Sequence, residues 1–456
     1  MGRPTDTKSD RSREAFFIVS KRITAFGLLF LLCTLSYSEE YYVRMGADGA
    51  QTGKTWKDAF TDLPAKLIRG STYYIADGVY KNRIFNDPEA GTVPIIIRKA
   101  IPGFSDTCRG NLNDSTWDDS YGVGTAIFTS DTPLFDQGQA IWQFTTGYYT
   151  IDGRVGSDTS GYGIKLLNGN SVFVPTGRTT NNLVFRYIQM QGDGWLSCTK
   201  TRGFQISGDA DNCTLQYCYI YDFNQQLVQF AGLSRNILME RCYLLRASSG
   251  CSELHSVMFW SRGGSDSMNV VIRYNVFENM GSGGGTGYIS LGYLYSGPSR
   301  GYEIYGNIFR STSEMEGPSR LLGENGDAKT RGVKFFHNTI VGLRKNAARI
   351  TFNSNDSSDN LAYNNLWVNC ETHPHIMNMT AANNSLNNLA PNVFTDPTSG
   401  NYRLAKSVDL ECKDLGYPYN RDPDGNLRGA DKVTDAGAYE FLDISPPPKP
   451  FGLYCK

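Results

Sequence analysis

The chain has 456 residues, and its 44 Lys and Arg are balanced by 45 Asp and Glu, so the formal net charge is −1. This balance excludes the strongly basic surface of a general nucleic-acid binder, and we expect no nucleic-acid partner. The 48 Gly and 27 Tyr favour many short strands over a helical bundle, because Gly suits tight turns and Tyr suits strands.

Residues 1–38 have the features of a secretory signal peptide. Basic residues precede an apolar run at Ala25–Leu35, and small residues at Ser36 and Ser38 lie just before Glu39. This run is too short for a helix that spans a bilayer, which needs roughly 20 apolar residues. We expect a mature protein that begins near Glu39, is secreted or held at the cell surface, and has no membrane span. A retained signal anchor is the alternative.

Export from the cytoplasm would permit disulfide bonds. Cys33 lies in the predicted signal segment, so an odd number of cysteines remains in the mature chain. At least one of them is therefore free or pairs between chains, and the sequence does not give the pairing.

The mature chain begins with strands and one predicted helix. Apolar residues follow a helical spacing across Thr55–Leu67, where Thr55 and Asp58 resemble a capping box. This segment predicts an amphipathic capping helix ahead of a strand-rich chain. The strands predicted around it are Tyr41–Asp48, Thr72–Tyr80 and Val93–Lys99.

From about residue 140, a strand-like segment repeats along the chain. Apolar residues alternate around its fifth position, which is polar or a thiol in most copies and Asn in the last ones. The fifth positions are Ile188, Cys218, Cys242, Asn275, Asn307, Asn338 and Asn365. A repeat of this size without helices is typical of a β-solenoid, whose coils stack ~4.8 Å apart. Stacked Asn amides can then bond to one another as a ladder at a bend between strands.

The repeat is followed by closing motifs, Phe394-Thr-Asp-Pro, Arg428-Gly-Ala-Asp and Asp435-Ala-Gly-Ala-Tyr-Glu. Together these features resemble the right-handed parallel β-helix superfamily, the pectin-lyase-like fold, over roughly residues 41–441. The resemblance implies an all-β, single-stranded solenoid of roughly ten to twelve coils with a short N-terminal capping helix. We expect one β-helix domain at 39–441, after the signal peptide 1–38 and before a Pro-rich tail at 442–456.

Ionisable residues concentrate in the segments that follow each ladder position. Because loops at one edge of a solenoid stack into a row, these segments predict a groove along the helix axis that would fit a polysaccharide. Trp195 is predicted to stack on a sugar ring. The other predicted substrate-binding residues are Asp222, Gln225, Glu314, Glu316 and Arg320.

The most specific local pattern is Glu253-Leu-His255. Strand alternation places Glu253 and His255 on one face, where the carboxylate can orient the imidazole as a base. Lys200 and Arg202, two coils away, would neutralise a substrate carboxylate. These residues predict a lyase that cleaves an acidic polysaccharide by β-elimination, with His255 as the base.

Other functions stay open. The chain has Asn325-Gly-Asp327 and Asp118-Asp119, but it lacks the Gly-His-Gly and Arg-x-Lys motifs of polygalacturonases. A lyase is therefore favoured over a hydrolase or an epimerase. Lyases of this fold often use calcium, which is the cofactor that the resemblance implies, but the sequence does not define its ligands. The alternative class is a non-catalytic glycan-binding or surface adhesion protein of the same fold.

Overall fold

The computed structural model describes Gly2 and residues 38–442, without 104, 135–138, 156–160, 248–255, 263–267, 282–286, 293–298, 313–319, 325–327, 353–358 and 372–374. The predicted signal peptide and tail therefore lie almost entirely outside the described residues. The described residues from Glu40 onwards form one compact unit. Among the described residues, no helix has the length and apolar character needed to span a membrane.

The described chain winds into a right-handed parallel β-helix with three long parallel sheets, named A, B and C here. The sheets contain 12, 11 and 10 described strands. The chain passes through A, B and C in turn, which gives ten complete coils. One strand of A precedes these coils, and one strand each of A and B follows them. The all-β fold and the predicted number of coils are confirmed.

The strand bounds follow the order of the coils. Sheet A contains Glu40–Val43, Thr72–Ile75, Ile95–Lys99, Tyr149–Asp152, Thr179–Arg186, Asp209–Gln216, Ser234–Glu240, Val270–Arg273, Ser299–Tyr305, Thr330–Phe336, Leu361–Tyr363 and Thr380–Ala382. Sheet B contains Gly78–Lys81, Ala126–Thr129, Ile164–Leu166, Ile188–Gln191, Tyr219–Phe223, Tyr243–Ala247, Val276–Met280, Ile308–Arg310, Thr339–Val341, Leu366–Val368 and Ser385–Leu389. Sheet C contains Arg83–Phe85, Trp142–Phe144, Val172–Val174, Phe204–Ile206, Gln226–Phe230, Val257–Ser261, Gly287–Leu291, Arg320–Glu324, Ile350–Thr351 and Ile376–Met377.

Helical structure is confined to short pieces in the described residues. One α-helical turn is formed by Asp106–Arg109, and an antiparallel pair, Phe394–Asp396 with Asn401–Leu404, follows the last coil. The 3-10 turns are Asp119–Tyr121, Lys345–Ala348, Pro391–Val393 and Pro397–Ser399.

The core is made of residues that repeat from coil to coil. Strands of one sheet pair in parallel register, so Phe185 pairs with Leu215, and Leu215 pairs with Met239. All three side chains are buried. Burying each such side chain stabilises the fold by roughly 1.5–3 kcal/mol, and the in-register stack repeats this gain at every coil.

In the coils that carry the repeat, sheets A and B are joined by one or two residues, which we call the A–B bend. The first residue of the bend has a positive φ in each of these coils. Each repeat identified in the sequence therefore forms two strands rather than one. The bend residues are Tyr187, Tyr217, Arg241, Tyr274, Gly306, His337, Asn364 and Asn383.

The predicted asparagine ladder is confirmed beside this bend. The Nδ2 atom of Asn275 donates to Oδ1 of Asn307, and that of Asn307 to Oδ1 of Asn338, each at 3.0 Å. The ladder continues through Asn365 to Asn384, which the sequence analysis missed. Each ladder amide from Asn275 to Asn384 also donates to a backbone carbonyl and accepts a backbone N–H. The ladder therefore satisfies buried polar atoms at successive coils.

The helix predicted at Thr55–Leu67 is wrong, because the segment forms turns. Thr55 and Asp58 do make the local hydrogen bonds of a cap. However, the backbone N–H of Phe60 donates to the carbonyl of Tyr42 at 2.9 Å, so the segment joins the first strand. Pro64 also disfavours a helix here, since it lacks an N–H and restricts the residue before it. Trp56, Ala59, Leu63 and Leu67 of the segment are buried all the same.

Residues 391–441, the closing segment, pack on the outside of the last coils. Phe394 and Tyr402 cover apolar side chains of sheet B such as Ile308 and Leu366. Tyr419 packs on aromatic rings of sheet A. The segment therefore covers the A–B bend and the outer face of sheet B at the C-terminal end of the solenoid.

The closing motifs form a buried polar network in this segment. Asp422, Arg428, Asp435 and Glu440 are each at least nine-tenths buried. The Arg428 guanidinium donates to Glu440 and to the carbonyl of Ala438. Burial raises the pKa of Glu440 to about 7 despite this contact. The motifs are therefore explained by the structure of the closing segment.

Candidate anion-binding site

The segments that join sheet B to sheet C form a second edge of the solenoid, which we call the B–C edge. Among the described members of the ionisable row identified in the sequence, Lys200 and Arg202 lie along it. The longest described part of this edge is 192–203, between the strands Ile188–Gln191 and Phe204–Ile206. This stretch contains three of the predicted site residues.

The loop at 193–201 is held by a compact hydrogen-bond network. The carboxylate of Asp193 accepts from Ser197 at 2.8 Å, from Thr201 at 2.6 Å and from Thr199. Asn224 on the next coil is fully buried and accepts the backbone N–H of Thr201 at 2.8 Å. Cys198 is disulfide-bonded. The loop is therefore preorganised, and the Asp193 carboxylate is engaged within it.

This network presents three side chains at the surface of the loop. Lys200 and Leu196 are exposed, and Trp195 is half-buried. Within the described parts of the chain, Lys200 forms no ion pair, and the Trp195 ring stacks on no other aromatic ring. An amphipathic indole and a free ammonium group on a fixed loop are suited to contact a ligand.

Arg202 follows this loop and is buried, with 8% of its surface exposed. Its backbone N–H donates to Asn170 and its Nε donates to Oε1 of Gln226, both at 2.8 Å. Its Nη1 atom is buried and has no hydrogen-bond partner among the described residues. No carboxylate in the described chain forms an ion pair with it. Arg202 is thus a buried cation without a counter-ion in this part of the protein.

The electrostatics of Arg202 reflect this environment. Burial, with a smaller contribution from the positive charge of Arg262, lowers the pKa of Arg202 to about 10. The Arg262 guanidinium lies over the ring of Trp260, 4.8 Å from its centroid. The sequence analysis missed Arg262. The sequence did contain a signal, because Trp260 and Arg262 are two residues apart at the end of a strand and therefore point to the same face.

Arg320 begins a strand of sheet C, where it pairs with Gly287 on the preceding coil. The Nε atom of Arg320 is buried without a hydrogen-bond partner in the described chain. Burial lowers the pKa of Arg320, and Glu324 on the same strand opposes this shift. Arg320 was predicted to bind substrate, and the structure places it on the B–C edge.

Two other predicted ligand residues are less available. The Asp222 carboxylate accepts from Nε and Nη2 of Arg246, at 2.5 and 2.9 Å. Its charge is therefore already paired. Gln225 is buried, and its Oε1 atom has no hydrogen-bond partner among the described residues. Trp195, Lys200 and Arg202 thus lie in one described segment of the B–C edge and make up the candidate site, whereas Asp222 is paired with Arg246 and is not a free ligand.

The predicted catalytic pair, Glu253 and His255, and the predicted ligands Glu314 and Glu316 lie outside the described residues. Their roles remain predictions. In the described chain, no group of three or more His, Cys, Asp or Glu could hold a metal ion. Calcium likewise remains an expectation drawn from the resemblance.

No family model matches the chain, and no curated protein matches it. Among solved structures, the fold is similar to that of pectate lyase Pel9A, with 11% sequence identity and a TM-score of 0.34. The match covers 92% of this chain and 97% of that chain. The class defined here is the parallel β-helix, and that assignment rests on the three stacked parallel sheets.

Proposed function

We propose that the protein binds an acidic polysaccharide along the B–C edge, with Arg202 pairing to a carboxylate of the glycan. The observation that carries this proposal is a buried guanidinium without a counter-ion in the described chain. Burying an unpaired charge costs several kcal/mol. An anionic ligand would supply the missing charge, and a carboxylate matches the two parallel N–H groups of arginine.

A polymeric ligand is favoured over a small anion by the shape of the site. The B–C edge runs along the helix axis with one segment per coil, about 4.8 Å apart, so an extended chain could contact several coils at once. Trp195 presents an apolar ring and Lys200 a second cation beside Arg202. This combination suits a sugar ring that carries a carboxylate.

The proposed reaction is β-elimination at a uronate unit. A base removes the proton beside the carboxylate, the C4–O bond breaks, and its electron pair leaves with the glycosidic oxygen, which is then protonated. A C4–C5 double bond forms in the new non-reducing end. Arg202 and Lys200 would stabilise the enolate by neutralising the carboxylate, and His255, oriented by Glu253, is the proposed base.

Binding and turnover can be tested separately. The protein is incubated with alginate, pectate and glycosaminoglycans, with and without calcium. Binding is followed by calorimetry and cleavage by the ultraviolet absorbance of the unsaturated product. Arg202→Gln should weaken binding about tenfold or more, as expected for a charge-assisted pair. Arg235→Gln removes an equal charge from sheet A and is the matched control.

Two results would overturn the binding proposal. One is a wild-type protein that binds none of the acidic polymers. The other is an Arg202→Gln variant that binds as tightly as the wild type. If cleavage occurs, His255→Ala should lower turnover by ~10²-fold or more. Cleavage that survives this change would exclude His255 as the base.

A non-catalytic glycan-binding protein is the second candidate. It is favoured by the state of two carboxylates in the described row, since Asp193 is engaged within its loop and Asp222 is paired with Arg246. Neither is free to act as an acid or a base. Tight binding of an acidic polymer without any unsaturated product would select this candidate.

A further inference from the structure

We infer that the protein carries asparagine-linked glycans on Asn113 and Asn212. Both residues begin Asn-x-Ser/Thr triplets, at Asn113-Asp-Ser and Asn212-Cys-Thr. In exported chains this triplet is the acceptor for asparagine-linked glycosylation. The inference goes beyond the proposed function, and it rests on the predicted export of the chain.

The sequence alone does not select these two positions, because it contains five such triplets. The other three begin at Asn355, which lies outside the described residues, and at Asn378 and Asn383. A glycan on the Nδ2 atom of Asn replaces one of its two hydrogens. The described triplets can therefore be separated by exposure and by whether these hydrogens already form hydrogen bonds.

Asn212 is an exposed residue of the strand Asp209–Gln216 in sheet A. Its φ of 57° is left-handed, a conformation that Asn tolerates, and its neighbours Asp211 and Cys213 pair with the next coil. Within the described chain, the side-chain amide of Asn212 forms no hydrogen bond. Its Nδ2 atom is therefore open to a glycan.

Asn113 is exposed in the segment 100–125, which joins sheet A to sheet B in the second coil. The backbone beside it is held by Asp114, whose carboxylate accepts the N–H of Trp56 at 2.8 Å. The Asn113 side-chain amide has no hydrogen-bond partner among the described residues. This second acceptor thus projects from a fixed part of the chain.

The other two described triplets have amides that are already engaged. Nδ2 of Asn383 donates to the carbonyls of Leu410 and Glu411, at 3.2 and 2.7 Å, and so uses both hydrogens. Asn378 is exposed, but its Nδ2 donates to the carbonyl of Phe352 at 2.5 Å. A glycan at either position would displace a contact of the folded chain, so we expect neither in the exported protein.

The reaction uses an oligosaccharide carried on a polyprenyl diphosphate and a membrane oligosaccharyltransferase. Nδ2 of the Asn attacks C1 of the first sugar, and the C1–O bond to the diphosphate breaks. The electron pair leaves with the diphosphate, Nδ2 loses one proton, and a C1–N bond forms. The step needs no oxidant or reductant.

Both acceptors lie away from the candidate anion-binding site. In a coil of three sheets, sheet A is opposite the B–C edge, and sheet A carries Asn212. Asn113 belongs to a connection between sheets A and B. Glycans at these positions leave the B–C edge accessible, so their removal should not change the affinity for acidic polysaccharides.

The test maps glycans on the full chain secreted by a eukaryotic host and on the chain recovered from its natural source. Peptide mass spectrometry, before and after peptide-N-glycosidase, should find glycans on Asn113 and Asn212 but none on Asn378 or Asn383. Asn113→Gln and Asn212→Gln should each lose one glycan. Asn378→Gln is the matched control, because it also removes an exposed triplet, and it should lose none.

An exported chain without a glycan at Asn113 and Asn212 would overturn the inference, as would retention of the chain inside the cell. Equal occupancy of Asn378 and Asn383 would show that engagement of the amide does not select the sites. Polysaccharide binding by the glycosidase-treated protein is measured separately, so its outcome bears on the proposed function alone. After this treatment, thermal melting should not distinguish the variants from the wild type, since the substituted residues are exposed.

Discussion

The two edges of sheet B differ in whether their buried polar groups have hydrogen-bond partners. At the A–B bend, one or two residues turn the chain, and the ladder from Asn275 to Asn384 satisfies buried amides, carbonyls and N–H groups at successive coils. At the B–C edge, longer segments connect the sheets, and Arg202 is buried with an unpaired Nη1 atom in the described chain. The A–B bend is organised for stability, whereas the B–C edge retains an electrostatic cost, as functional sites often do.

Breaking the ladder tests the A–B bend and should change the free energy of unfolding more than the other substitutions do. Asn338→Ala removes two hydrogen bonds with Asn307 and one each with Ile304 and Asn365, all in the core. The unsatisfied groups should lower the free energy of unfolding by about 3–5 kcal/mol, measured by urea denaturation. Asn113→Ala, on an exposed surface, should change it by less than about 0.5 kcal/mol. Equal losses in the two variants would contradict a stabilising ladder.

A pH-dependent test addresses the same bend. His337 is buried, its Nε2 lies 3.0 Å from Nδ2 of Asn364, and burial together with Arg428 lowers its pKa well below 6.5. The folded state therefore binds fewer protons than the unfolded state, and the free energy of unfolding should fall as the pH drops below 6.5. His337→Asn keeps a residue that tolerates positive φ, as Asn364 does on the next coil. The variant should therefore lack this part of the fall in the free energy of unfolding at acidic pH.

Denaturation at several pH values between about 5 and 7 would measure the difference between the wild type and His337→Asn. Glu440, with its raised pKa of about 7, contributes in the opposite sense, since its stabilisation is lost as the pH rises from 4.5 towards 7. Both proteins contain Glu440, so its contribution cancels in the comparison. Parallel pH profiles for the two proteins would show that His337 does not titrate as proposed.

A substitution at the B–C edge should change the free energy of unfolding in the opposite direction to a substitution in the ladder. Arg202→Gln removes an unpaired buried charge and retains a side chain that can bond to Gln226. We expect the free energy of unfolding to rise by about 1–2 kcal/mol, while affinity for acidic glycans falls. Urea denaturation and calorimetry on the same preparation would check both. A variant that is less stable and binds normally would place Arg202 among the stabilising residues.

The smallest effect is expected at the surface of the 193–201 loop. Trp195→Ala should reduce glycan affinity by several-fold, equivalent to about 1 kcal/mol, because it removes a ring that can stack on a sugar. Its free energy of unfolding should stay within about 0.5 kcal/mol of the wild type. Leu196→Ala, at an exposed neighbour, is the control and should leave affinity unchanged. Equal losses of affinity in both variants would show that the loop, and not the indole, matters.

Much of the fold was predictable because stacking in register repeats the same residue types from coil to coil. The repeat around Cys218, Asn275 and their equivalents gave the solenoid and the ladder. Asn384 was missed since it follows Asn365 by 19 residues, a shorter step than the earlier ones. The helix at Thr55–Leu67 was predicted wrongly, because pairing with the first strand overrides the local apolar spacing.

The sequence predicted which residues make up the candidate site, but not which of their charges are paired. Arg202 stands out in sequence as a cation in the row, yet its burial and its unpaired Nη1 depend on packing between coils. Asp222 looked equally available, but Arg246, 24 residues later, lies beside it and neutralises it. Such partners can be identified only once the register of the sheets is known.

The closing segment also changes how the solenoid can come apart. In a linear array of coils, each unit contacts only its neighbours, and the ends can fray independently. Here Arg241 bonds to the carbonyl of Pro423 across 182 positions, and Thr339 accepts the N–H of Ala438 across 99. These contacts tie the coils from Arg241 onwards to the C-terminal residues, so we expect this half to open as one cooperative unit. The first coils have a shorter tie, since Arg69 donates to the carbonyls of Gly147 and Tyr148 two coils further on, and partial unfolding should cost least between the two tied regions.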